Sequence, residues 1–217
     1  MEHATHHRLV ATELHENKKE VFRYLGYSVK DLCSSNFYET VDKQTLNLVD
    51  SCIKEISSAL KPQAVYNIYD LKIENEKISF ADICFESTSL SKNLSGCTKI
   101  ALLAATIGPQ VDFLIKKATK IDMTKAAVMQ ATGAMFIEEY VNLVNEEISA
   151  LAKKEGFSVR PRFSPGYGDV PLSIQRDFFR LLPCTQRLGL TLMDSLIMSP
   201  EKSVTAFVGL KIGRAHV

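Results

Sequence analysis

Thr98-Lys-Ile-Ala-Leu-Leu-Ala-Ala-Thr106, running into Ile107-Gly108-Pro109-Gln110, is the stretch on which the reading of the fold turns. Its near-continuous apolar run has the length of a buried strand. Gly108-Pro109 then opens a helix to about Lys120, because proline suits the first helical position. A dinucleotide-binding or Rossmann-type methyltransferase fold needs a glycine-rich turn at such a junction. Here the junction holds one glycine, and the chain has no G-x-x-x-x-G-K-S/T sequence for a phosphate-binding P-loop.

Downstream of this stretch, Met123 to Lys154 is the longest helical pattern in the chain, closed by Gly156. Its apolar side includes Ile137, Val141, Val144, Ile148 and Leu151, with Ala127, Ala131 and Ala134 along one edge. Upstream, Val65 to Ile73 and Ile78 to Phe85 read as strands joined by the turn-like Glu74-Asn75-Glu76-Lys77. Thr40 to Leu60 is an amphipathic helix, with Val41, Leu48, Val49, Cys52, Ile53, Ile56 and Leu60 on one face and Pro62 as its stop. Lys18 to Leu25 is a short helix ended by Gly26, Asp31 to Glu39 is polar and irregular, and Ser87 to Leu94 holds one helical turn. Phe157 to Pro171 is a loop, Leu172 to Leu182 a helix ended by Pro183, and Thr191 to Met198 and Ser203 to Leu210 are strands. Helices and strands come in blocks without strict βαβ alternation, which predicts an α+β domain.

The chain has 217 residues, 46% apolar and 24% charged, the profile of one ordinary globular domain. Lysine plus arginine is 26 and aspartate plus glutamate is 25. That balance argues against a nucleic-acid sleeve or an anionic-membrane binder, which need a basic excess. No run approaches the ~18–20 apolar residues of a membrane span. Met1 to His15 has no apolar signal core. A cytoplasmic protein is expected. The five cysteines, Cys33, Cys52, Cys84, Cys97 and Cys184, are an odd number with no C-x-x-C spacing. Buried free thiols are expected rather than disulfides or a zinc site.

Residues 1–15, with His3, His6, His7 and His15, read as a solvated tail, and residues 212–217 as translated adapter sequence. Residues 16–211 are then the domain. Between Glu16 and Ala215 there is no histidine. The body of the chain therefore has no means to run a Ser-His-Asp or Cys-His relay, or the usual histidine-bearing catalytic zinc. Chemistry here falls to carboxylates, arginines, tyrosines, backbone or a bound cofactor.

The segment Arg160-Pro-Arg-Phe-Ser-Pro-Gly-Tyr-Gly-Asp-Val-Pro171 is the first candidate site. Prolines stiffen it and glycines permit close backbone approach. Arg162 offers a planar fork for a carboxylate or phosphate, Tyr167 a ring face and a hydroxyl, and Asp169 an anion. A structural loop that only covers the core is the other reading. Glu138 is the second candidate. It shares a face of the long helix with Ala131 and Ala134, and small residues beside a carboxylate leave room for a ligand. Glu139 turns about 100° away, toward the polar side. An edge salt bridge is the alternative for Glu138.

Arg162-Phe-Ser-Pro-Gly-Tyr-Gly-Asp-Val-Pro171, a helix, and then Leu192-Met-Asp-Ser-Leu-Ile-Met-Ser-Pro-Glu-Lys-Ser-Val204 together resemble the activation domain of cobalamin-dependent methionine synthase, in its free-standing short form. The resemblance covers most of residues 16–211. It implies a single C-shaped α+β domain, a twisted antiparallel sheet with flanking helices, that binds S-adenosylmethionine in a shallow groove. It also implies reductive reactivation. Cob(II)alamin on a partner methionine synthase subunit is returned to methylcobalamin, with an electron from a flavodoxin-like donor and a methyl group from S-adenosylmethionine. By the same resemblance, Arg162 holds the ligand carboxylate, Ser164 contributes its backbone, Gly166 and Tyr167 line the ligand, and Glu138 stands near it.

Two departures accompany the match. Val208 occupies the place of a ligand-side tyrosine in the last strand of the long form, and the long form's N-terminal aspartate has only Asp31 or Asp70 as stand-ins. Two alternatives follow: a non-catalytic binding or assembly module for a corrinoid protein, and a reactivation factor for a different corrinoid methyltransferase.

Overall fold

β5 (Cys97–Thr106) is fully buried from Ile100 to Thr106. Strand side chains alternate, so burial of every position requires cover on both faces. Ala101, Leu103 and Ala105 enter one apolar cluster, and Ile100, Leu102 and Ala104 enter another. The structure, a computed structural model, describes residues 5–8 and 14–213. His3 of the expected tail and residues 214–217 of the expected adapter sequence lie outside the described residues.

β2 (Gln63–Glu74) and β9 (Ser203–Ile212) flank β5, both antiparallel to it. Gln63 and Ser203 both stand opposite Thr106, and Val208 stands opposite Ala101. Beyond β2 come β3 (Lys77–Phe80) and β4 (Ile83–Glu86), and beyond β9 comes β6 (Phe157–Val159). β1 (Thr5–Arg8) pairs with Gln63–Tyr66, completing, among the described residues, an open seven-stranded antiparallel sheet. The α+β expectation holds, in one domain.

On one face lie α1 (Lys18–Tyr24), α4 (Lys43–Ser57), α6 (Pro109–Thr119) and the long α7 (Met123–Lys154). Asp122 caps α7, accepting the Lys125 N–H at 3.0 Å. Ile137, Val141, Val144 and Ile148 are buried as the periodicity predicts, while Leu151 and Ala127 are exposed. α2 (Val29–Leu32) and α3 (Phe37–Thr40) fill the segment read as irregular. On the opposite face lie α5 (Thr88–Asn93), a 3₁₀ turn at Leu172–Ile174, and α8 (Gln175–Leu181). No described helix is long and apolar enough to cross a membrane.

Four local expectations change. Thr5–Arg8, read as solvated tail, forms an edge strand, because backbone pairing along β2 needs no apolar side chains. Phe157–Val159, read as loop, pairs with Leu210–Ile212. The expected strand over Thr191–Met198 is two short strands, β7 (Thr191–Leu192) and β8 (Met198–Ser199), paired apart from the main sheet. Ile78–Phe85 is divided by a turn in which Ala81 takes φ 48°.

Gly209 is extended, but space restricts it. A Cβ there would lie 2.6 Å from Leu94 Cδ2 and 2.8 Å from Cys97 Sγ. Gly209→Ala is expected to lower stability by about 1–3 kcal/mol, as overpacking does, read from urea unfolding. Cys52, Cys97 and Cys184 are buried, and Cys33 and Cys84 are exposed. Burial pushes Cys52 up to about 11 and Cys184 to about 12. A thiol-reactive probe at neutral pH is expected to label Cys33 and Cys84 in the native protein, and the buried three only on unfolding.

Candidate functional site

The loop after β6 stays tied to β9. Arg160 N–H donates to the Gly209 carbonyl at 2.8 Å. Phe163 and Phe207 exchange both backbone bonds, at 3.0 and 2.7 Å. Val159 faces Leu210 and Phe163 faces Phe207, so the loop side carries one residue more than β9 over this interval. Such a bulge shifts the side-chain alternation by one. Val159 packs toward the α7 face and Phe163 toward the other. Arg160 goes to the second face, where its Nη2 donates to the Ser95 carbonyl at 3.0 Å. Arg162 goes to the α7 face and meets Glu138, Nη2 to Oε2 at 3.1 Å.

Beyond Phe163 the chain folds into a tight turn. Tyr167 N–H donates to Ser164 O at 3.2 Å, Gly166 N–H to Val170 O at 3.0 Å, and Val170 N–H to Tyr167 O at 3.1 Å. Gly166 and Gly168 take φ of 87° and 56°, the left-handed region in which glycine is unstrained. Pro165 and Val170 are buried, whereas the Tyr167 ring is 70% exposed. Ser164 is half-buried, with its carbonyl committed to the turn.

The Arg162 side chain is 22% exposed and Glu138 44% exposed. Arg162 Nη1 is buried and has no hydrogen-bond partner among the described residues. Leaving such a donor unmade costs on the order of 1–3 kcal/mol. The guanidinium fork thus has one nitrogen on a carboxylate and one turned inward without an acceptor.

The structure brings Arg162 and Glu138 together and puts Tyr167 at the exposed tip of the same loop. Asp169, considered from sequence as an anion for a ligand, is committed elsewhere. Its carboxylate accepts from Ser87 Oγ at 2.6 Å, Thr88 N–H at 2.7 Å and Ser89 N–H at 3.1 Å. The Ser87 hydroxyl, then those two amides, hold it well below the usual carboxylate range. Val208 is fully buried on the α7 face. Asp31 accepts the Ser28 hydroxyl at the start of α2, and Asp70 is exposed on β2.

Tyr24, at the end of α1, is a neighbour that the sequence did not indicate. Burial first, and the Glu138 charge second, raise its hydroxyl pKa. The Arg23 guanidinium lies 4.4 Å from its ring centroid. No periodicity or motif links positions this far apart in the chain.

Two surface clefts lie elsewhere. One of about 510 Å³ is lined by residues such as Pro109, Asp112, Phe113 and Pro200. Another of about 490 Å³ is lined by residues such as Tyr69, Lys72 and Phe80. Neither is lined by a residue whose buried donor lacks a partner. The Arg162 corner has such a donor beside a partly exposed carboxylate, which sets it apart from these two clefts.

No protein-family model matches the chain, and no curated protein matches it in sequence. A crystal structure of the MetH reactivation domain bound to AdoHcy matches in fold, with TM-score 0.71 and 15% identity, over 99% of this chain and 80% of that one.

A partly exposed ion pair contributes at most about 1 kcal/mol to stability. Glu138→Gln is therefore expected to leave the unfolding midpoint nearly unchanged in urea titration. A loss of several kcal/mol would mark the pair as structural.

Proposed function

We propose that this chain binds S-adenosylmethionine by its amino-acid end at Arg162 and Glu138, and serves as a reactivation partner of cobalamin-dependent methionine synthase. The observation that carries the reading is the partly exposed ion pair itself, Arg162 Nη2 on the Glu138 carboxylate, in the loop that also carries Gly166 and Tyr167. An α-amino acid presents both matching groups, a carboxylate for the arginine and an ammonium for the glutamate. The fold likeness to a domain bound to AdoHcy supports the same ligand class.

The residues at the corner suit that ligand. The Arg162 fork orients the carboxylate, Glu138 balances the ammonium charge, and the Ser164–Gly166 backbone lets the ligand approach closely. Tyr167, exposed at the tip, offers a ring face to the rest of the molecule. When bound, S-adenosylmethionine supplies an already activated methyl group, and cobalamin on the partner supplies the acceptor. The chain has only to hold and present the donor, with reacting centres brought to about 3–3.5 Å. No general base is needed, in keeping with a body that has no histidine between Glu16 and Ala215. The electron comes from a flavodoxin-like donor in the cytoplasm under this reading.

Isothermal titration with S-adenosylmethionine tests the site. Arg162→Ala is expected to weaken binding by about 1.5–3 kcal/mol, a charge-assisted hydrogen bond's worth. Unchanged affinity would remove the assignment. Reconstitution tests the role: methionine synthase lacking its own activation domain and loaded with cob(II)alamin should regain activity with this protein, S-adenosylmethionine and a reductant. Tight association with the corrinoid protein but no S-adenosylmethionine binding would favour a non-catalytic module instead.

A further inference from the structure

The site loop is gripped from behind by α5, at both of its ends. At the start of α5, Ser87, Thr88 and Ser89 place three donors on the Asp169 carboxylate, at 2.6, 2.7 and 3.1 Å. At its last residue, Asn93 Nδ2 donates to the Pro161 carbonyl at 3.2 Å. Between these points Gly168 lies against α5, and a Cβ on it would stand 2.8 Å from Ser89 Oγ.

The helix is itself fixed. Leu90 and Leu94 are fully buried in the second cluster, and the Ser87 hydroxyl caps the Leu90 N–H at 3.1 Å. Leu94 also packs against Gly209 of β9. Arg162 therefore sits between two anchored neighbours, Pro161 held by Asn93 of α5 and Phe163 held by Phe207 of β9.

We propose that α5 is a brace that sets the conformation of the Arg162–Tyr167 loop before ligand arrives, with Asp169 as its positioning residue. The proposal rests on the reading of that loop as an S-adenosylmethionine site. Asp169 touches no ligand in this scheme. Its three bonds fix the turn that carries Gly166 and Tyr167, and a loop fixed in advance loses less conformational freedom on binding.

The test joins amide hydrogen exchange to titration with AdoHcy, on the wild-type chain and on Asp169→Ala, Asp169→Asn and Ser87→Ala. Asp169→Ala is expected to speed exchange at Gly166, Tyr167 and Val170 while β5 and α7 keep their protection. It is expected to weaken AdoHcy binding by about tenfold, the scale of lost preorganisation. Asp169→Asn keeps one acceptor oxygen and should recover part of both effects, and Ser87→Ala should fall between. If Asp169→Ala does not fold, Ser87→Ala and Asn93→Ala read the same two quantities.

Exchange that stays at wild-type rates overturns the brace. So does faster exchange with unchanged AdoHcy affinity, which would make α5 a purely structural support. A wild-type chain that binds no AdoHcy sinks the ligand reading instead, and the exchange data then decide by themselves whether α5 holds the loop.

Discussion

Across β9, Val159 faces Leu210 and Phe163 faces Phe207, with one residue more on the loop side than on the strand. In a regular strand Arg160 and Arg162 would share a face. The extra residue separates them. Arg160 turns to the Ser95 carbonyl, and Arg162 turns to Glu138 on α7. Without that shift the guanidinium would point away from the helix carboxylate, and the candidate site would not exist. The backbone bonds of Phe163 with Phe207 hold the shift in place.

The rest of the architecture makes this register reliable. β9 is fixed because it pairs along most of β5, which is buried on both faces. α7 is fixed because its buried side forms one wall of the first cluster. The loop is suspended between these elements and α5. It draws little stability from its own ion pair, since exposed charges gain little against water. Its order comes from backbone bonds, buried Pro165 and Val170, and the Asp169 carboxylate.

Two aspartates have different fates in the fold. Asp169 saturates its oxygens on α5, and Asp112 accepts the Glu201 N–H at 2.6 Å beside one of the surface clefts. Burial raises the Asp112 carboxyl, whereas hydrogen bonds lower that of Asp169. Composition does not reveal such differences, because they depend on which donors the tertiary fold delivers.

The sequence alone determined three of the elements through local pattern: the α7 helix from Met123 to Lys154, the buried β5 run and the helix begun by Pro109. It also indicated a stiff loop in which prolines and glycines set the local torsions, whereas the left-handed φ of Gly166 and Gly168 came from the structure. It did not show that Thr5–Arg8 or Phe157–Val159 join the sheet, because edge strands held by backbone bonds leave no apolar alternation to read. Nor did it divide Thr191–Met198 at its turn. Tertiary structure alone decided that Arg162 meets Glu138, that the charge of the same carboxylate acts on Tyr24, and that Asp169 belongs to α5. Local torsional preference is written in neighbouring residues, whereas the direction of a side chain after a bulge, and what waits for it there, is set by strands and helices distant in the chain.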